Sequence, residues 1–115
     1  QAIGHIILIA DKDAFVSVSG ASKKDYIERK ISNELEGIMD GRKATLIVEE
    51  GKTIPLHNDE DVGEYSNQVI APIIAEGDAI GAVMILSKTP GEKFSEIELK
   101  LAETAAAFLG KQMEQ

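Results

Sequence analysis

The chain has 115 residues, 43% of them apolar and 28% charged, with 20 acids against 12 bases and a formal charge of −8. That is the usage of one folded domain, and its acidic surface disfavours phosphate backbones and anionic membranes. Cysteine is absent, which excludes disulfides, thiolate nucleophiles, zinc ribbons and thioether-linked chromophores and suits a reducing compartment.

No apolar run reaches the roughly 18 to 20 residues of a membrane span, and no signal peptide is visible. Gln1 stands where a start methionine would, so a longer parent chain is expected. Gly4 suits the end of a preceding helix, of which Gln1 to Ile3 would be the remainder. Residues 5–11 (HIILIAD) are a β-branched apolar run and read as a strand buried on both faces. His5 reads as a structural hydrogen-bonding residue. After the turn DKD, residues 14–20 alternate, with Val16 and Val18 on one face and Ser17 and Ser19 on the other, completing a hairpin.

Ser22 opens SKKD, a capping box that predicts a short helix to about Arg29. Ser32 caps a second helix, with Leu35, Ile38 and Met39 on one side and Gly41 placed to stop it. Residues 43–50 (KATLIVEE) form a third strand. Residues 51–64 are polar and broken by Pro55 and Gly63: a long loop, with a short edge strand expected at 53–56. Residues 65–88 are the clearest hairpin, two apolar runs flanking Glu76-Gly77-Asp78. Pro72 cannot donate to a ladder, which predicts a bulge or an unpaired edge there. Ser95, with Glu98 three residues on, is a capping box for a helix to the end of the chain. The order ββ, helices, β, loop, ββ, helix implies antiparallel pairing in an α+β layer structure.

The closing helix has little polar surface. At about 100° per residue, Ile97, Leu101, Ala105 and Phe108 form one stripe, and Ala102, Ala106, Leu109 and Met113 form a second beside it. The apolar arc is roughly 200°, about twice what docking on one sheet requires. One stripe is expected on the sheet and the other on a second subunit. The small residues point to Ala102, Ala105, Ala106, Leu109 and Met113 as the oligomer interface.

Chemistry-bearing clusters are few. SGASKK puts hydroxyls and lysines at a helix start but lacks the spacing of a phosphate loop. LHNDEDVGEY (56–65) lacks the alternating ligand register of a calcium site and reads as a solvated loop or a mobile lid. Glu34, Glu36, Glu49 and Glu50 read as a wet face. No nucleophile elbow or Ser/His/Asp order occurs.

The hairpin APIIAEGDAIGAVMILSK resembles the closing hairpin of GAF domains. Together with GHIILIADKDAFVSVSGASKKDYIERKIS and AETAAAFLGKQMEQ, it resembles the C-terminal sensor domain of swapped-hairpin transcription regulators in spore-forming bacteria. The likeness runs over nearly the whole chain in the same order, residues 41–64 matching least. It implies a GAF-like α+β fold: a central antiparallel β-sheet, helices packed on one face, and a loop and short-helix pocket on the other. It implies a single non-catalytic regulatory, sensor and oligomerisation domain over residues 1–115, in a cytoplasmic regulator that modulates forespore gene expression. DNA would be held only by a separate N-terminal domain, with no membrane contact, and helices from both ends would build a homo-oligomer. Ser17, Ser19, Ser22, His57 and Tyr65 would line a pocket for an unidentified small molecule. The Asn-Lys-Phe-Asp-Glu signature of cyclic-nucleotide binders is missing, as are the cysteines of sulfoxide reductases and bilin binders. No cofactor, metal or catalytic residue is expected. The alternatives are an assembly-only module with a vestigial pocket and, third, a small enzyme. Large apolar side chains plugging the space between sheet and loop would mark the assembly-only form.

Overall fold

A computed structural model describes residues 5–114. The helix expected to end at Gly4 lies outside the described residues. Five strands, β1 (Ile6–Asp11), β2 (Phe15–Ser19), β3 (Thr45–Ile47), β4 (Asn67–Ala75) and β5 (Asp78–Ser87), pair antiparallel in the order β2-β1-β5-β4-β3. Two helices, α1 (Asn33–Gly41) and α2 (Glu96–Met113), lie on opposite faces of this sheet.

The expected 65–88 hairpin is its centre. β4 and β5 are apolar on both sides of the pleat, so each can be covered twice. Their turn places both Glu76 (φ 52°) and Gly77 (φ 85°) in the left-handed region, as a tight hairpin requires. Pro72 pairs with Ala82 within β4, and β3 ends opposite Ile70, so the missing N–H of Pro72 costs no ladder bond on that side. The irregularity falls beyond it, between Ile73 and Ile74.

On one face Leu8, Ala10, Ile70, Ala82, Met84 and Leu86 meet Leu35 and Met39 of α1 and the connecting loops. On the other, Val69, Ala71, Ile73, Val83 and Ile85 receive α2. α2 lies mainly across β4 and β5, which corrects the reading of the first strand as buried on both faces: Ile9 packs at the edge of the α2 layer, but Ile7 is 43% exposed. A bulge between Ile9 and Ala10 also breaks the expected alternation of β2. Phe15 and Val18 face the α1 layer, while Val16 is exposed.

Two connections differ from expectation. The helix predicted from Ser22 to Arg29 is only a 3-10 turn, Lys23–Asp25, and the Ser22 side chain makes no cap. Residues 27–30 are drawn instead onto β2 by bridges Phe15 to Ile27 and Ala14 to Lys30, and Glu28 takes φ 68°. No strand forms at 53–56. That stretch is tied to β4 by the Gln68 amide, which accepts from Ile54 N (2.9 Å) and donates to Ile54 O (2.7 Å). The helix expected after Ser32 is α1, capped by the Ser32 hydroxyl as read; it stops at Arg42 in the left-handed region, one residue beyond Gly41. His5 bonds Glu92 (Nε2 to Oε2, 2.7 Å), in keeping with a structural role.

Candidate functional site: a polar hollow and a bare helix face

The space between sheet and loop is filled. Phe15, Tyr26, Ile31, Leu35, Leu56 and Tyr65 are buried together in one cluster where the 51–64 segment meets the sheet. The segment is solvated only in part: Asn58, Asp59, Asp61, Val62 and Glu64 are exposed as a wet loop would be, while Thr53, Pro55, Leu56 and His57 are buried. Glu34, Glu36, Glu49 and Glu50 are exposed as expected.

Where this core reaches the surface it becomes a polar chain. Tyr65 donates to Glu60 Oε2, so the Tyr26 hydroxyl, 2.7 Å away, donates to Tyr65. Asp59 N–H donates to His57 Nδ1 (3.2 Å), which leaves the imidazole proton on Nε2, facing Glu60 Oε2 at 3.5 Å. The Leu56 N–H donates to Glu60 Oε1 (2.7 Å). Burial, more than the bonds to Glu60 and Tyr26, pushes the Tyr65 phenol far above the ordinary tyrosine range. Burial likewise raises Tyr26, against a smaller opposing effect of its bond to Tyr65. Both phenols therefore stay protonated, and Glu60 accepts from Tyr65 and Leu56 N with His57 Nε2 close by.

Above this chain lies an open hollow of about 340 Å³, floored by Tyr26, His57 and Glu60. Its rim carries Asp25, Arg29, Asp59, Glu64 and Lys88. Arg29 Nη1 pairs with Asp59 Oδ2, and Lys88 Nζ donates to Glu64 (3.3 Å) while standing 5.3 Å from the Tyr65 ring centre. Of the five residues expected around a pocket, the fold brings His57 and Tyr65 together here. Ser17 and Ser19 pair with Ile9 and Ile7, on the sheet face that carries α2, and Ser22 is an exposed turn residue. Tyr26, Arg29, Glu60 and Lys88 were not singled out from the sequence. The available signal was that the chain has only two tyrosines, and that both are spent here.

The second feature is α2. Its capping box forms as read: Ser95 Oγ accepts from Ile97 N (3.2 Å) and Ser95 N donates to Glu98 (2.7 Å). The two stripes are present, but their assignment is corrected. Ala102 and Ala106 are fully buried against the sheet, with Leu109 partly so, and are not available to a second chain. The reason is distance: a Cβ on Gly110 would stand 2.2 Å from the Ile74 carbonyl oxygen, so only a small-residue stripe fits against β4. The large stripe is bare, with Ile97 68%, Leu101 59% and Phe108 63% exposed; Ala105 and Met113 are exposed too. Glu103, Ala107 and Lys111 share a groove with Ala44 and Pro72 on the β3 side. By helical geometry Leu101 and Ala105 therefore turn toward the β1 side, where Ile7 is uncovered.

Residues 1–114 match the family described as stage V sporulation protein T C-terminal, transcription factor. The chain belongs to this family. Stage V sporulation protein T of Bacillus subtilis (strain 168) is 47% identical over the whole of this chain, which spans 62% of that relative's length. Among solved structures, the GAF domain/HD domain protein from Geobacter sulfurreducens superposes with a TM-score of 0.70 at 15% identity, covering 97% of this chain and 83% of that one. The type II free methionine-R-sulfoxide reductase from Thermoplasma acidophilum superposes with a TM-score of 0.68 at 12% identity, over 92% and 76%. These likenesses show the GAF fold in the stage V sporulation protein T C-terminal family. The activity of the reductase is not carried over by them. No helix among the described residues is long and apolar enough to cross a membrane.

Proposed function

We propose that this domain is the non-catalytic regulatory and self-association module of a sporulation transcription regulator working in the forespore cytoplasm, DNA being held by another part of the parent chain. The observation that carries the self-association is the bare stripe of α2. Ile97, Leu101, Thr104 and Phe108 follow 4-3-4 spacing, the seam by which helices pair side by side. The occupant is a second copy. The rim of the stripe carries Lys100 and Glu96, so a second copy can set a lysine against a glutamate there. A large apolar face of this kind is rarely left to water.

Analytical ultracentrifugation across the micromolar range tests this. The chain is expected to sediment as a dimer or larger, and Leu101→Glu with Phe108→Glu to sediment as a folded monomer whose melt no longer depends on protein concentration. A strict monomer at high micromolar concentration overturns it.

A sensor reading is also favoured by one feature, the 340 Å³ hollow above Tyr26, His57 and Glu60. The filled space beneath the loop is the mark of an assembly-only module, so the sensor reading rests on this surface hollow alone and not on the deep pocket expected from the resemblance.

A further inference from the structure

We propose that the hollow binds a small zwitterion, a free α-amino acid or a molecule of that chemistry. This deepens the sensor reading above and rests on it.

Among the described residues, Arg29 Nε is the one buried side-chain nitrogen or oxygen with no hydrogen-bond partner. A buried donor left bare costs about 1 to 3 kcal/mol, so such a group calls for an acceptor. Asp59 engages Nη1 on the far side of the guanidinium. The Nε–Nη2 edge, along which arginine holds a carboxylate side-on through two parallel bonds, is unused. The Arg29–Asp59 pair is itself partly exposed, 39% and 75%, and pairs of that kind hold weakly. To offer that edge, whose Nε is buried in the structure, the guanidinium turns toward the hollow and gives up the weak pair with Asp59.

The wall supplies the other half of the specificity. Four carboxylates face two permanent cations, Arg29 and Lys88. A bare anion such as phosphate meets that excess of acid, and a bare ammonium leaves the arginine edge empty. A molecule carrying both groups answers both. Glu60 already accepts from Tyr65 and Leu56 N, and Glu64 from Lys88 and Asp61 N. Asp25, whose carboxylate has no partner among the described residues, is left for the ammonium. At about 340 Å³ the hollow is at the small end of ligand sites, which run from roughly 300 to 1,000 Å³, so the ligand is compact.

The test is a two-dimensional amide NMR titration of the 115-residue chain with the common free α-amino acids, their N-acetyl derivatives, their methyl esters and inorganic phosphate. At least one free amino acid is expected to shift the amides of Tyr26, Arg29 and Glu60 saturably. Its acetylated and esterified forms are expected to bind at least about tenfold more weakly. Arg29→Gln and Asp25→Asn are each expected to weaken binding by a similar factor without moving the melting temperature. Equal binding of either blocked form, or of phosphate, keeps a ligand site here and overturns its zwitterionic class. No saturable shift with any probe at millimolar concentration overturns both the class and the sensor reading.

Discussion

Gly110 and Gly37 both sit inside helices, and the same methyl group has opposite effects at the two. Around Gly37, in α1, nothing lies within 4 Å of an added Cβ. Gly37→Ala therefore gains the helix propensity difference, about 1 kcal/mol. At Gly110 the added atom meets the Ile74 carbonyl oxygen at 2.2 Å and its carbon at 3.2 Å. That carbonyl belongs to the second-from-edge strand β4, buried under α2, and has nowhere to go. Gly110→Ala is expected to destabilise by about 2 kcal/mol in spite of the better propensity. In thermal unfolding that is a fall of roughly 8 °C, against a rise of roughly 4 °C for Gly37→Ala. A Gly110→Ala variant as stable as wild type would mean that α2 can lift from the sheet, and that the small stripe is not what sets its approach.

At the scale of elements, the two helix N-caps use the same residue at different cost. Ser95 closes an exposed capping box, and replacing such a cap by alanine costs about 1 kcal/mol. Ser32 is buried and does two jobs: its oxygen accepts from Leu35 N (3.0 Å) and its hydroxyl donates to Pro55 O (2.7 Å). Ser32→Ala strands a core carbonyl as well as a cap donor and is expected to cost about 1 to 3 kcal/mol more than Ser95→Ala. Urea denaturation of the pair measures the difference, and equal midpoints would show the Pro55 carbonyl finding another donor. Both caps were legible as Ser followed by a periodic apolar run. So was the central hairpin, because a Gly-containing turn between two apolar runs has few other uses. The helix after Ser22 was not, since bridges to β2 overrode a capping signal that was purely local. Nor was the burial of residues 53–57. It depends on Gln68, a polar residue in the middle of β4 whose amide stands in for a neighbouring strand.

For the molecule as a whole, periodicity announced two apolar stripes on α2 but not which one meets the sheet, because that choice is made by the backbone of β4 and not by α2 itself. The polar hollow was half legible for a similar reason: His57 and Tyr65 lie in one loop, whereas Tyr26, Arg29 and Lys88 arrive from elsewhere in the chain. Long-range assembly also fixes how the fold responds to acid. Glu92 links the entry to β1, the end of β5 and the approach to α2: its carboxylate accepts from Ser87 Oγ (2.6 Å) and meets His5 Nε2 (2.7 Å), and its carbonyl accepts from Asn67 (2.8 Å). The Ser87 hydroxyl first, and His5 second, hold the Glu92 carboxyl below the ordinary carboxylate range. A carboxyl lowered by folding stabilises the native state above its unfolded value, about 4.3, and that contribution is lost as pH falls through the folded value. Protonating the other acids also relieves repulsion in a chain of charge −8, so the slope of wild-type stability with pH mixes opposing effects. Glu92→Gln isolates one of them. The gap in urea midpoint between wild type and Glu92→Gln is expected to be widest near pH 7 and to close on acidification below about pH 4.3. A gap that stays constant down to pH 3 would mean that the clasp acts through neutral hydrogen bonds alone, with no contribution from the charge of Glu92.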